Sequence, residues 1–509
     1  MPFLWLNLLI FIPLLGAFAL AFIPRNNSRS IEWAALLSTV PPLLIAAFLW
    51  YSWVQSDGTP LSGSVEWIPS LHIQYSLGVD GFSIPMIGLT ALLSSLCVFY
   101  SFGRITTRVR EYYIFMLLLE CFLLGVFCAR DLFLFYVLFD ASLVPMYFLI
   151  ALWGGERSSY AAIRFFLYTL AGSAALLIGV LWVYFRSAAV DGTGEPTFDM
   201  IELARLNLFH GAPGAQFVLF FLFGVAFAIK IPIFPFHTWL PDAYVEAPSA
   251  VTAMLAGAMG KMGVYGFLRL ALPLFPEGAR AWSTPLMVLG VISVIYGAFV
   301  ALAQWDLKRL VAYSSVSHMG FVALGLAAGA RAASVGSLSD PKVPLSGVLF
   351  EMFAHGIITG ALFLLVGMLA ERAGIRSLRE LGGAIRTAPV FVILFVTAMF
   401  ASMAMPGLMG FWGELYILLG SFGSFPVGTG LCAIGIIITA GFFVWALQRM
   451  AYGTTSEVSA RLSDVNSREV GSVVPLVVIM FLFGFLPGLY LSPSFSVTVQ
   501  QLAGLLGRS

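Results

Sequence analysis

Apolar residues run along this chain in long blocks rather than in alternation. Fourteen blocks are long enough to cross a bilayer as helix, which takes about 17–25 residues. They cover residues 3–23, 31–54, 78–102, 112–129, 131–152, 161–186, 216–237, 249–271, 285–304, 308–328, 344–370, 389–420, 426–450 and 471–492, and are called spans 1 to 14 here. The pattern predicts an all-α polytopic membrane protein of about fourteen transmembrane helices. Two connections are longer than the rest. Residues 55–77 include the alternating run HIQYSL, which predicts a small hairpin. Residues 187–215 include FDMIELARLNLF, which predicts a short amphipathic helix.

Two spans carry helix breakers. In span 7, Pro232 and Pro235 follow Lys230 at once. Lacking an N–H, they are expected to release the carbonyls of Ala228 and Ile231. In span 12, Pro406–Gly407 does the same within SMAMPGLMGFWGEL. Broken helices at matching places in two halves point to an ion site in transporters built of inverted repeats. Residues 1–111 then hold spans 1–3, and 112–271 a first five-helix repeat with its break in the fourth helix. Residues 285–450 form a second repeat with the same break, and 471–509 the last span. Five being odd, the second repeat is inverted relative to the first.

Composition narrows the class. Of 509 residues, 60% are hydrophobic and only 10% charged, with mean hydropathy +0.96, far below the roughly 25% charged of soluble domains. A net charge of +1 offers nothing to nucleic acid. Cys97, Cys121, Cys128 and Cys432 are scattered, so no disulfide framework or metal knuckle is expected. Span 1 lacks a basic leader and a small-residue cleavage site and reads as retained. If residue 1 lies outside, sixteen of the 26 Lys and Arg fall in inside loops and eight outside. That bias predicts both termini on the non-cytoplasmic side.

Against this background, ionisable residues within spans carry the information: Glu120, Asp140, Lys230, His237, Lys261, His318, Glu351, His355 and Glu414. A charged side chain at mid-membrane costs about 2.5–3.5 kcal/mol on insertion scales. Such groups therefore order the bundle as pairs or do chemistry. A Lys230–Asp140 pair would hold a proton when closed and expel it when open, since lysine titrates readily on burial. His318 and His355 suit proton relay between the halves, and Glu414 suits late release. Asp306 and Lys308–Arg309, in QWDLKRL at the inner end of span 10, read as interface charges reaching for water. The chain has no Walker loop, no GxGxxG and no nucleophile elbow. In EMFAHG, Glu351 and His355 share a helix face, but no third metal ligand stands near them in sequence.

Several of these stretches resemble a known family. KIPIFPFHTWLPDAYVEAPSAVTAMLAGAMGKMGVYGFLR and DLKRLVAYSSVSHMG are similar to signatures of the antiporter-like membrane subunits of respiratory complex I and of multi-subunit Na⁺/H⁺ antiporters. DLFLFYVLFDASLVPMYFLIALWGGERSSYAAIRFFLYTLAGS and LHIQYSLGVDGFS resemble more narrowly the subunit M branch of bacterial NADH:quinone oxidoreductase. The likeness runs over nearly the whole chain. Glu414 fits that branch, because the L and N branches and the antiporters usually place a lysine in the broken twelfth span. The chain also ends soon after span 14, whereas the L branch carries a long lateral helix.

The resemblance implies a proton-translocating subunit in a bacterial inner membrane, next to antiporter-like L and N neighbours. NAD, FMN, iron–sulfur clusters and quinone would sit in partner subunits, and this chain would hold no cofactor or metal. It implies Lys230 as the broken-helix lysine, Lys261 as the central lysine and Glu414 as the exit carboxylate. His237, His318 and His355 become polar-axis histidines. Asp140 stands where the family ordinarily has glutamate, and Arg164 where many members have lysine. The rivals are a Na⁺/H⁺ antiporter subunit, a membrane arm of a hydrogenase or formate-oxidising complex, and a plain scaffold.

Overall fold

The computed structural model describes residues 2–56, 58–190, 195–332, 340–491 and 493–507. Among these, thirteen helices are long and apolar enough to cross a membrane. They match spans 1–11, 13 and 14, usually within a few residues at each end. Span 12 is absent from that set because its break is complete: Pro389–Ser402 and Gly410–Phe422 are separate helices, each too short to cross. The chain turns between them with Ala404 and Gly407 at positive φ (53° and 91°). Ala404 is the strained one, since its Cβ disfavours that region.

Span 7 breaks in a comparable way. Helix Pro213–Lys230 stops at the lysine, and a short helix, Leu240–Glu246, follows an irregular stretch. The expected free carbonyl of Ala228 is not free: it accepts the N–H of Ile233 at 3.1 Å. The neighbouring Ile229 carbonyl takes the indole N–H of Trp239 at 3.0 Å. Backbone at membrane depth has no water to turn to, so the break closes on itself. Both breaks are also stitched to a neighbour. The Phe234 N–H donates to Ser293 Oγ of span 9 at 2.9 Å, and the Met409 N–H donates to the Met480 carbonyl of span 14 at 3.0 Å.

The centre of the bundle is made of spans 8, 10 and 11. In helices Ser249–Leu274 and Lys342–Ala373 the most apolar window is wholly buried, and in Leu307–Ala332 it is 94% buried. Spans 1, 9 and 13 reach only 39% and so face outward. Small residues set the close approach, as expected where lipid supplies no hydrophobic drive between helices. A Cβ on Gly297 of span 9 would lie 2.7 Å from the Ser317 nitrogen of span 10. Span 8 is also locally underwound: the Gly260 N–H bonds the Leu255 carbonyl five residues back at 3.0 Å, and a second wide turn spans Phe267–Ala271. Such π-type turns recur at functional sites.

The predicted hairpin is present as strands Leu61–Ile68 and Ile73–Val79, paired antiparallel with Leu61 opposite Val79. Residues 78–79, read as the start of span 3, therefore belong to a strand, and the helix begins at Ser83. The short helix of the long loop is Met200–Leu206, capped by Asp199. One element was not foreseen. A helix over Pro493–Leu506 follows span 14, held by Thr498 Oγ1, which accepts the Gly81 N–H at 3.1 Å.

Candidate functional site

Lys261 begins the segment of span 8 that follows the first wide turn. That turn leaves carbonyls without their usual partner, and Lys261 Nζ takes the one on Ala256 at 3.2 Å. The same amine lies 2.7 Å from His355 Nδ1 of span 11. His355 Nδ1 is also 2.8 Å from Thr359 Oγ1, one turn on. With the amine donating, Nδ1 is the acceptor and the ring hydrogen sits on Nε2. The His355 ring packs edge-on against the ring of His318 of span 10, centroids 5.6 Å apart. His318 Nδ1 is 2.9 Å from Glu414 Oε1, and its Nε2 is 3.1 Å from Ser402 Oγ. A tautomer that donates to the carboxylate and accepts from the serine satisfies both.

Lys261, His355, His318 and Glu414 thus form one buried file across three spans and the second break, each residue at most 5% exposed. Ser402 ends the first segment of span 12, and Glu414 lies in the first turn and a half of the second. Glycines bring that second segment onto span 11. A Cβ on Gly413 would sit 2.9 Å from the Glu351 Cα, and one on Gly347 would sit 2.6 Å from the Ile417 nitrogen. The contact sets Glu351 beside Glu414. Glu351, Glu414 and His318 offer ligand atoms within 4.8 Å of one another. The metal couple considered from EMFAHG therefore divides: His355 turns to Lys261, and Glu351 turns to Glu414 and His318.

Lys230 stands apart from this file. It is 2% exposed, and its Nζ has no hydrogen-bond partner. The amine lies over the rings of Phe139 and Phe165, 5.0 and 5.7 Å from their centroids. Cation–π contacts contribute roughly 0.5–2 kcal/mol each, more when dry. Asp140 acts on the lysine through space, but the two form no ion pair and Asp140 Oδ1 is itself unpartnered. Asp140 interacts instead with Tyr136, one turn back on its own helix. Its helix ends there: Leu132–Ala141 gives way to Leu143–Trp153 at Ser142, three residues before Pro145, which has no N–H for the Ala141 carbonyl.

His237 lies within the first break but off the file, packed against the rings of Phe234 and Tyr296 with Nδ1 unpartnered. Arg164 of span 6 pairs with Asp242 of the short helix after the break. Lys308 corrects a sequence expectation. It does not reach for water but is 3% exposed, and Nζ donates to the carbonyls of Val245 (3.2 Å) and Ala247 (2.5 Å). Those carbonyls end the short helix, where the helix dipole favours a cation; the Arg376 guanidinium also donates to Val245, at 3.2 Å. This end opens into a cavity of about 660 Å³ lined by Arg104, Glu156, Arg157, Glu246, Lys308 and Glu371, among others.

Comparison with known proteins settles the family. A family model described as "NADH:quinone oxidoreductase/Mrp antiporter, TM" matches residues 129–439. NADH-quinone oxidoreductase subunit M of Rhodobacter capsulatus is 37% identical over 99% of this chain and 98% of its own length. The chain belongs to the subunit M family. A chain of respiratory complex I from Thermus thermophilus superposes with a TM-score of 0.85 at 31% identity, covering 99% of this chain and all of that one. A chain of the Mrp complex of Dietzia reaches 0.83 at 22% identity, over 99% and 98% of the two chains, which shows a shared fold.

Subunit M membership leaves several contacts that sequence reading missed. Ser402 and Thr359 are polar neighbours of the two relay histidines, and they look like ordinary helix residues in an apolar run. Tyr265, one turn past Lys261, lies 3.3 Å from Ser83 Oγ and accepts from Arg269 Nε at 3.2 Å. Its spacing of four from Lys261 and from Arg269 was the available signal. Glu120 reads from the sequence only as a carboxylate within span 4; it is fully buried, and neither carboxylate oxygen has a partner.

Proposed function

We propose that this chain is the proton-translocating subunit M of an NADH:quinone oxidoreductase, moving protons along the file Lys261–His355–His318–Glu414. The observation that carries the reading is the pair of short contacts, 2.7 and 2.9 Å, joined by two histidine rings in contact. Lysine gives its proton to His355 Nδ1 while Nε2 releases the one it holds; His318 takes that proton at Nε2, once the Ser402 hydroxyl turns away, and gives its Nδ1 proton to Glu414. Histidine suits this because its two nitrogens let a proton in on one side and out on the other. Lys230 and Asp140 act as an upstream switch that stands open in this structure, and the 660 Å³ cavity is the intake mouth. His237, in the first break beside Phe234 and Tyr296, is proposed as a further polar step near Lys230.

Residues 112–271 and 285–450 are proposed as the two inverted repeats, flanked by 1–111 and 471–509. Both termini face away from the cytoplasm of a bacterial inner membrane. The L and N subunits are the proposed membrane neighbours. NAD, FMN, iron–sulfur clusters and quinone are placed in partner subunits, so the driving energy arrives through the membrane arm. The test is Glu414→Gln in the assembled complex. Quinone-linked proton pumping should fall by about tenfold or more, the loss expected of one charge-assisted hydrogen bond, while NADH oxidation by an artificial acceptor is unchanged. Normal pumping would defeat the assignment.

A second reading has one observation behind it. The His318, Glu351 and Glu414 ligand atoms cluster within 4.8 Å, a spacing that a small cation could bridge. Sodium-dependent turnover that vanishes in both Glu351→Gln and Glu414→Gln would favour it over proton relay.

A further inference from the structure

We propose that the cavity beneath the C-terminal helix binds an anionic phospholipid, its phosphate on Arg130 and Arg205 and an acyl chain along the apolar wall. The cavity measures about 510 Å³ and lies at the hairpin end of the bundle. Four charged side chains line it: Asp80, Arg130, Arg205 and Arg269. Asp80 and Arg269 satisfy one another at 2.6 Å, and Asp80 also accepts the N–H groups of Phe82 and Ser83. Burial alone would raise the Asp80 carboxyl, but the charges of Arg269 and Arg130 outweigh it and hold the group below its ordinary value. That pair contributes no net charge to the cavity.

The other two guanidiniums make no ion pair among the described residues; Arg130 acts on Asp80 only through space, and three guanidiniums facing one carboxylate leave the cavity with an excess of positive charge. Arg130 is 7% exposed, and its Nε has no partner. Arg205 is exposed and forms no ion pair among the described residues. A buried guanidinium without an anion is costly, and a phosphate oxygen fits its planar fork. The rest of the lining is mostly apolar: Phe82, Leu268 and Pro273 on one side, Leu502 and Leu505 of the C-terminal helix on the other. Free phosphate would have no use for such a wall, whereas a lipid needs both parts. The depth agrees, since Arg130 sits between the end of span 4 at Cys128 and the start of span 5 at Leu132, and Arg269 near the end of span 8 at Leu274. That is the level at which headgroups meet acyl chains.

The experiment uses the whole complex, purified in mild detergent and exposed to phosphatidylglycerol bearing a photoactivatable acyl chain. Label should map to the peptide carrying Leu502 and Leu505. It should fall about tenfold in Arg130→Gln/Arg205→Gln, the loss expected of a charge-assisted contact. Arg205→Gln alone, at an exposed unpaired position, should show an intermediate fall without disturbing assembly. Equal labelling by phosphatidylcholine with the same tag, or undiminished label in both variants, would overturn the proposal. So would full competition by millimolar inorganic phosphate, or a neighbouring subunit cross-linked there in place of lipid.

Discussion

The two broken helices use one device to opposite effect. At the first break, Lys230 ends a helix and points into aromatic rings, with its nearest carboxylate turned aside. At the second, Ser402 ends a helix and Glu414 lies just beyond the break, and both hold His318 at hydrogen-bond distance. One site is an unmade pair and the other a made one. An open backbone at membrane depth must be stitched wherever it occurs, and both breaks are stitched. What differs is whether the titratable side chain has a partner. The difference teaches that the break builds the room, while the partner decides whether a proton can leave.

Several changes would break or sharpen this contrast. The largest effect is expected at the made site: His318→Leu removes both hydrogen bonds and the ring contact with His355, and pumping by the reconstituted complex should be abolished. A ΔpH-sensitive dye in proteoliposomes reads this directly. At the unmade site, Asp140→Asn removes the charge that acts on Lys230 and should slow quinone-linked turnover several-fold, about 1 kcal/mol of coupling on the scale of a partly screened pair. Asp140→Glu keeps the charge, adds one methylene of reach towards Lys230 and should retain or raise turnover. If Asn turns over normally, the open pair is a packing feature rather than a switch.

A smaller effect is expected where the short helix after the first break is anchored. Lys308→Met leaves the Ala247 carbonyl without its cation and should destabilise the complex by about 1–3 kcal/mol, read as a lower midpoint of thermal disassembly. The smallest concerns Asp80, held below its ordinary value by Arg269 and Arg130 against the opposing effect of burial. A depressed carboxylate adds stability above its unfolded pKa, near 3.9, and loses it as pH falls through the lower folded value. Thermal stability should thus carry an Asp80 contribution from neutral pH down to about pH 4 that fades below it. Asp80→Asn should remove that contribution throughout.

Most of the fold was legible because its determinants are local. Apolar block length marks a span, and Pro232, Pro235 and Pro406 mark the breaks. The helix Pro493–Leu506 was not legible: it follows Pro487, begins on Pro493 and mixes Ser, Thr and Gln with its apolar residues, so it resembles a polar tail. The site was legible as a set of residues but not as a network. Lys261, His318, His355 and Glu414 stand out as ionisable groups in apolar runs. Their order in space depends on the wide turn at Leu255–Met259 and on Gly347 and Gly413, which let spans 11 and 12 touch. The same long-range packing decides that Lys308 is buried and that Lys230 and Asp140 stay apart.

The central claim is that a proton crosses from the first half to the second through His355. His355→Leu, in the assembled complex reconstituted into vesicles, tests it most directly through the ratio of protons translocated to NADH oxidised by quinone. That ratio should fall while NADH oxidation by an artificial acceptor holds at the wild-type rate. A wild-type ratio in His355→Leu would contradict it.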